Sequence, residues 1–275
     1  MTATADTSTG AAPTLDLEAT LRARRADGAK CLVPYLTGGL FPGEQGDWTD
    51  VLRAVAAAGA DGIEVGIPFS DPVMDGPVIQ EASELALRAG ATPPGILEDL
   101  SRADVGVPLA VMTYVNLVYR FGYERFAATA ATSGVSAAIL PDVPLEESGE
   151  WCAAADAAGV QTVMLAAPTA PDERLERIVE RARGFVYAVG LMGVTGERDH
   201  LAGSATVIAR RLKEITDVPV LVGVGISTPE QAVEVCEVAD GVVVGSALVR
   251  QVLRTRSPEA AADLVGAFRD AIDRG

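Results

Sequence analysis

The chain has 275 residues, 49% of them hydrophobic, and a formal net charge of −16. That length fits one large α/β barrel or two modest domains, and the apolar content is ample for a sizeable core. The acidic balance argues against nucleic acid and anionic membranes as partners, and no apolar run is long enough to span a bilayer.

Residues 1–13 are rich in Thr and Ala and carry neither a basic n-region nor an apolar h-region, so they read as a disordered leader and not a signal peptide. Apolar spacing predicts a leading helix over 15–26. A first strand follows over 31–37 and a helix over 48–58. The second strand spans 63–66 and leads, through a loop punctuated by Pro and Gly, into a helix from about Pro77 to Arg88. The third strand covers 108–114, with a helix over 123–132. The fourth covers 137–141, with a helix over 146–158. The fifth covers 160–166, with a helix over 172–183. The sixth, 185–189, is followed by a long loop over 191–204 and a helix over 205–215. The seventh covers 218–222, with a helix over 229–237. The eighth covers 241–244, and helices over 246–253 and 258–272 close the chain.

Eight strands without in/out alternation suit parallel strands covered by helices on the outside. Eight βα units in a chain of this size predict a single (β/α)8 barrel over 14–275, with an extra N-terminal helix and a short extra helix after the eighth strand. A doubly wound open sheet is the alternative, disfavoured because the chain shows no two-half symmetry. Cys31, Cys152 and Cys236 are scattered and odd in number, without metal-site spacing, as expected of reduced thiols in a cytoplasm.

One strand residue breaks the apolar rule. Glu64 sits inside the second strand, where an unpaired carboxylate is costly. Such a group is satisfied by hydrogen bonds, holds a raised pKa, or does chemistry. Alone it reads as structural. With Asp75 just beyond the same strand, the pair reads as two carboxylates able to divide acid and base roles. In a barrel the chemistry gathers at the C-terminal strand ends, which here carry Tyr35, Thr37, Glu64, Tyr114, Asn116, Pro141, Asp142, residues 166–169, Tyr187, residues 223–225, and Gly245 with Ser246. Glycines after both the seventh and eighth strands, with Ser246 opening a short helix, predict converging backbone N–H groups for a phosphate. Such local dipoles are needed because the global charge repels an anion. The loop over 191–204, with Gly193, Thr195 and Gly196, has the make-up of a mobile lid.

What is missing narrows the chemistry. Of the two lysines, Lys30 precedes the first strand, at the wrong end of a barrel, and Lys213 lies on an outer helix, so a Schiff base has no nucleophile. The single histidine, His200, argues against a His-based metal site and leaves no Ser-His-Asp set. Carboxylates, tyrosines and a phosphate cradle remain. They suit proton transfer on a phosphorylated small molecule that supplies its own electron sink.

The segment I-E-V-G-I-P-F-S-D-P-V-M-D-G-P-V-I-Q at 63–80 resembles the signature of the tryptophan synthase α subunit family. So do P-D-V-P-L-E-E-S at 141–148, M-G-V-T-G at 192–196, G-V-G-I-S-T-P-E-Q at 223–231 and G-S-A-L-V at 245–249. The resemblance runs in order from about residue 15 to the end. It implies cleavage of indole-3-glycerol phosphate into indole and glyceraldehyde 3-phosphate, without a cofactor or metal. It also implies an α2β2 complex in which indole passes through a tunnel to a pyridoxal-phosphate β subunit. Matched residue by residue, it makes Glu64 the catalytic acid/base, Asp75 the second carboxylate and Tyr187 the active-site tyrosine. Tyr35, Met112 and Ile139 match the walls around the indole. Gly196, Gly223, Gly225, Gly245 and Ser246 match the phosphate ligands, and Thr195 matches a lid threonine that orders against the Asp75 loop. Asn116 and Pro144 match β-subunit contacts on the rim.

Two departures stand out. Where the family commonly has Gly-Asp-Pro after the first strand, this chain reads Gly39-Leu40-Phe41-Pro42 and lacks the acidic residue. Val224 stands where many members carry an aromatic, which widens the expected indole pocket. Two other readings fit the same residues: a stand-alone lyase releasing free indole, and a non-catalytic barrel that activates a β chain. Retention of Glu64, Asp75, Thr195 and the glycines argues against the second.

Overall fold

The computed structural model describes residues 15–41, 47–190, 198–223 and 225–275, with backbone only over 198–203. The leader 1–13, Thr195, Gly196 and Val224 lie outside the described residues, as do the His200 side chain and most of the expected lid. The elements run α1 (Leu17–Ala26), β1 (Cys31–Thr37), α2 (Trp48–Ala57), β2 (Ile63–Gly66), α3 (Pro77–Arg88), α4 (Pro93–Arg102) and β3 (Leu109–Met112). They continue α5 (Val115–Phe121), α6 (Tyr123–Thr132), β4 (Val135–Ile139), α7 (Gly149–Ala158), β5 (Gln161–Ala166), α8 (Asp172–Arg181) and β6 (Val186–Ala188). The rest are α9 (Arg198–Ile215), β7 (Val220–Val222), α10 (Pro229–Cys236), β8 (Gly241–Val244), α11 (Ser246–Thr255) and α12 (Pro258–Arg274).

The eight strands form a closed parallel barrel in sequence order. Each strand is buried on both faces, which is why each reads as a continuous apolar run. The closing seam pairs Cys31 with Gly241 and Pro34 with Val244. Gly241 is glycine because the seam leaves no room: a Cβ there would sit 2.5 Å from the Cys31 Cβ and collide with the Cys31 carbonyl.

Polar groups concentrate at the N-terminal end of the strands. The fully buried Leu17 and Leu21 of α1 join the core, and Glu18 is tied to two strand starts. Its N–H donates to Gln161 Oε1 at 3.1 Å, and its carboxylate accepts from the Gly184 N–H at 2.9 Å. Asp61 pairs with Arg269 at 3.2 Å, and Asp240 accepts from Lys213 Nζ at 2.7 Å. Lys30 Nζ donates to the Ala239 carbonyl at 3.0 Å. Both lysines are therefore bound at this end, away from the strand C-termini.

Several boundaries differ from the sequence expectation. Helices α4 and α5 were not expected. Thr92 caps α4 by accepting from the Gly95 N–H, and α5 is capped by a distant aspartate considered below. β4 starts at Val135 and stops at Ile139, two residues before the expected 137–141. The pairing with β3 skips Ser136, whose hydroxyl donates to the Leu109 carbonyl at 3.0 Å, so the bulge draws the strand start back. Pro141, with no N–H to offer a ladder, lies beyond the strand. The long loop expected over 191–204 is helical from Arg198. Lacking the acidic residue, the turn after β1 is held another way: Leu40 is buried in the core and the Arg256 guanidinium lies 4.5 Å from the centre of the Phe41 ring. Among the described residues, no helix is long and apolar enough to cross a membrane.

Two glycines test this packing in opposite directions. Gly241→Ala forces the closing seam apart and is expected to lower stability by about 3 kcal/mol. Gly266→Ala, inside α12 with open space around its Cβ position, is expected to raise stability by roughly 1 kcal/mol. Denaturant unfolding of the two variants against the parent checks both signs.

Candidate active site

The site forms at the C-terminal mouth, and it starts from strand register. Tyr35 on β1 pairs with Glu64 on β2, Glu64 with Ala110 on β3, and Ala110 with Ala137 on β4. One row of the barrel thus carries a carboxylate and a phenol, and completes itself with two alanines that take up little space. The next row toward the mouth holds Gly66, Met112 and Ile139. Met112 and Ile139, the expected wall residues, therefore stand one step above Glu64.

Two tyrosines flank this space in the same way. A Cβ on Gly66 would collide with the Tyr35 hydroxyl and lie 2.5 Å from the ring carbon bearing it. A Cβ on Gly223 would collide with the Tyr187 hydroxyl and lie 2.6 Å from its ring carbon. Each tyrosine thus leans over a glycine two residues beyond its partner on the next strand, Glu64 for Tyr35 and Leu221 for Tyr187. Both glycines are needed for close approach, since neither has a positive φ. Burial holds both phenols neutral, well above their ordinary pKa.

Glu64 is fully buried, and neither carboxylate oxygen has a hydrogen-bond partner among the described residues. Burial alone raises its pKa from 4.5 to about 8. Asp75 arrives by a turn of its own: its N–H donates to the Pro72 carbonyl at 3.1 Å, and Gln80 Nε2 donates to its carbonyl at 2.9 Å. Pro77 then starts α3 in the first helical position, where its missing N–H costs nothing. Burial raises Asp75 to about 6, opposed by a hydrogen bond from the Tyr114 hydroxyl. The two carboxyls thus differ in character at neutral pH, Glu64 protonated and Asp75 ionised.

Across the mouth, Gly225 adopts a φ of 83°, a left-handed conformation natural to glycine. Gly245 precedes α11 and gives it no side-chain cap, whereas Thr228 and Gln231 close the start of α10 with a capping box. The first-turn N–H groups of α11, beginning at the exposed Ser246, therefore face the mouth with the positive end of the helix dipole.

The structure brings Tyr35, Glu64, Asp75 and Tyr187 together, with Met112 and Ile139 above them and Gly223, Gly225, Gly245 and Ser246 opposite. Tyr114 is a residue to which the sequence reading gave no role. It stood among the strand-end residues, but its partners lie about forty positions upstream.

A family model described as tryptophan synthase alpha chain matches residues 21–271. The tryptophan synthase alpha chain of Streptomyces coelicolor is 44% identical over 259 residues, covering 94% of each chain. That of Methanosarcina mazei is 47% identical over 203 residues, covering 74% of each. Among solved structures, Mycobacterium tuberculosis tryptophan synthase superposes with a TM-score of 0.84 at 36% identity, covering 95% of this chain and 100% of that one. Tryptophan synthase subunit alpha of Legionella pneumophila gives 0.83 at 32% identity, covering 94% and 98%.

The buried carboxyl makes a thermodynamic prediction. Below about pH 4.5 Glu64 is protonated whether folded or unfolded, and burial exacts no charge penalty. As pH rises toward about 8, the unfolded state ionises while the folded state resists, so the parent chain loses stability. Glu64→Gln lacks this loss. Its stability relative to the parent is expected to rise between pH 5 and pH 8.5, as measured by urea unfolding of both proteins at each pH.

Proposed function

The chain belongs to the tryptophan synthase alpha chain family, and from that membership we propose how its own residues cleave indole-3-glycerol phosphate. As an α subunit it is a lyase of tryptophan biosynthesis, performing a retro-aldol cleavage to indole and glyceraldehyde 3-phosphate. The observation that carries the assignment of roles is the Glu64 carboxyl, buried without partners among the described residues and holding its proton near neutrality.

Protonated Glu64 gives its proton to C3 of the indole ring, converting the ring to an indolenine whose C=N is the electron sink. Asp75, ionised, accepts a hydrogen bond from the indole N–H and stabilises the positive charge growing there. The Glu64 carboxylate then takes the glycerol hydroxyl proton as the C–C bond breaks, returning the acid for the next cycle. No amine is needed, consistent with Lys30 and Lys213 both being bound at the opposite end of the barrel. Tyr187, kept neutral by burial, serves as a hydrogen-bond donor to the substrate. Tyr35, Met112 and Ile139 wall the indole. The open start of α11 at Gly245 and Ser246, with Gly223 and Gly225, cradles the phosphate. Gly196 is assigned to the same cradle, and Thr195 to a latch against the Asp75 segment on closure.

The family works with a β subunit. We assign this chain to an α2β2 complex, supported by the apolar rim: Val73 is 80% exposed and Tyr119 70%, beside the exposed Met74 and Asn116. A β chain covering this rim, Pro144 included, would exclude water from the Asp75 segment and strengthen its electrostatics. Three free, buried thiols, Cys31, Cys152 and Cys236, agree with a reducing cytoplasm.

Steady-state indole release tests the assignment. The kcat/KM of the parent is expected to be bell-shaped, falling below about pH 6 as Asp75 is protonated and above about pH 8 as Glu64 is ionised. Glu64→Gln is expected to lose at least ~100-fold with the fold intact. Near-normal turnover in Glu64→Gln would refute the role given to Glu64.

A further inference from the structure

Tyr114 stands at the junction of three rim loops. It is buried and precedes α5, in the N-cap position, where its side chain makes no cap. The cap comes from elsewhere: the Asp142 carboxylate, beyond β4, accepts from the Val115 N–H at 2.9 Å and 3.2 Å. The phenol is thereby free to reach back toward β2. Its oxygen accepts from the Met74 N–H at 2.9 Å, which sets the hydroxyl beside the Asp75 carboxyl. Its ring lies 5.1 Å from the Phe69 ring, centre to centre. These contacts hold the segment 69–75 at Phe69 and at Met74, the residue next to Asp75. Otherwise that segment bonds to itself and to α3, and among the described residues no other strand's side chain hydrogen-bonds to it. With Val73 and Met74 exposed, the segment has little packing to fix it.

We propose that Tyr114 is a positioning residue for the cleavage reaction: pinned by Asp142 in the turn between β3 and α5, its hydroxyl fixes the backbone of the Asp75 segment and so the place of the carboxylate. The proposal rests on the reading of Asp75 as acceptor for the indole N–H. A carboxylate at the end of a self-contained turn samples many positions, and the acceptor for a ring N–H needs one. The phenol supplies that constraint from the turn after β3, which Asp142 holds. It also favours the ionised form of Asp75, because a hydrogen bond donated to a carboxylate stabilises its charge. The titratable groups around Asp75 are Tyr114 from the turn between β3 and α5, Tyr35 from β1, Tyr187 from β6 and Glu64 from β2. The phenols are neutral across the working range, and Glu64 is protonated below about 8. Over the acid limb Asp75 is therefore the group that titrates.

The test is kcat and KM for indole release between pH 5 and pH 9 in the parent, Tyr114→Phe and Asp75→Asn. Tyr114→Phe keeps the ring against Phe69 and removes only the hydroxyl. Its acid limb is expected to move up by about one pH unit, the scale of a single lost hydrogen bond to a carboxylate. The kcat is expected to fall roughly 10-fold at pH 8 from the loss of position, and by about a further 10-fold near pH 5.5 from the shifted limb, with KM little changed. Asp75→Asn is expected to be severe at every pH and to lack the acid limb. An Asp75→Asn enzyme that keeps its rate would overturn the role of Asp75 itself. If Asp75→Asn is severe but Tyr114→Phe keeps the parent's kcat at every pH with an unshifted limb, the positioning role of Tyr114 fails alone.

Discussion

The arrangement at the barrel mouth depends on one cost, that of removing the Glu64 carboxyl from water. A barrel strand has no wet face at the level of Glu64, and both side-chain oxygens there lack partners among the described residues. A charge in that position is strongly disfavoured, so the group keeps its proton up to about pH 8. An acid that holds its proton at neutrality and releases it to a carbon is what protonation of an indole ring requires. A partner such as an arginine would have stabilised the charge and removed the acid.

The rest of the site follows from holding that carboxyl in place without bonding to it. Tyr35 and Tyr187 lean over Gly66 and Gly223, so the walls around Glu64 are rigid aromatic edges fixed by a lack of space. The row that carries Glu64 is otherwise alanine on β3 and β4, which leaves volume for a ring. The same tyrosines tie the carboxyl to the proposed phosphate end: Gly223 seats the Tyr187 hydroxyl, and a Cβ on Gly245 would meet the Tyr35 Cβ at an ordinary 3.7 Å. Opposite demands are thereby separated in space. The dry interior keeps Glu64 neutral, while the uncapped start of α11 offers N–H groups to an anion that the chain's net charge repels.

Much of this was legible in the chain because buried parallel strands read as unbroken apolar runs. One carboxylate inside such a run is conspicuous, and Glu64 was visible for that reason. Glycines at the ends of β7 and β8 were legible in the same way. What escaped was held by contacts distant in sequence. α5 is seven residues, of which Val115, Asn116, Val118, Tyr119 and Phe121 have weak helical preference, and it forms with its cap supplied by Asp142 from the next loop. α4 opens with Pro93-Pro94-Gly95, which reads as a turn until Thr92 is seen to cap it. β4 begins early because of a bulge at Ser136, and bulges carry no composition signal. Tyr114 looked like any aromatic at a strand end. Only the fold places its hydroxyl against Met74 and Asp75.

The central claim is that Glu64 is a protonated carboxylic acid in the resting enzyme near neutral pH. Infrared difference spectroscopy of the parent against Glu64→Gln reads this directly, without substrate or partner. A carbonyl stretch of a protonated carboxyl that is present at pH 7, absent from Glu64→Gln and lost with a midpoint near pH 8 is the expected result. A carboxylate signal already complete at pH 7, with a midpoint near the ordinary value of 4.5, would contradict it.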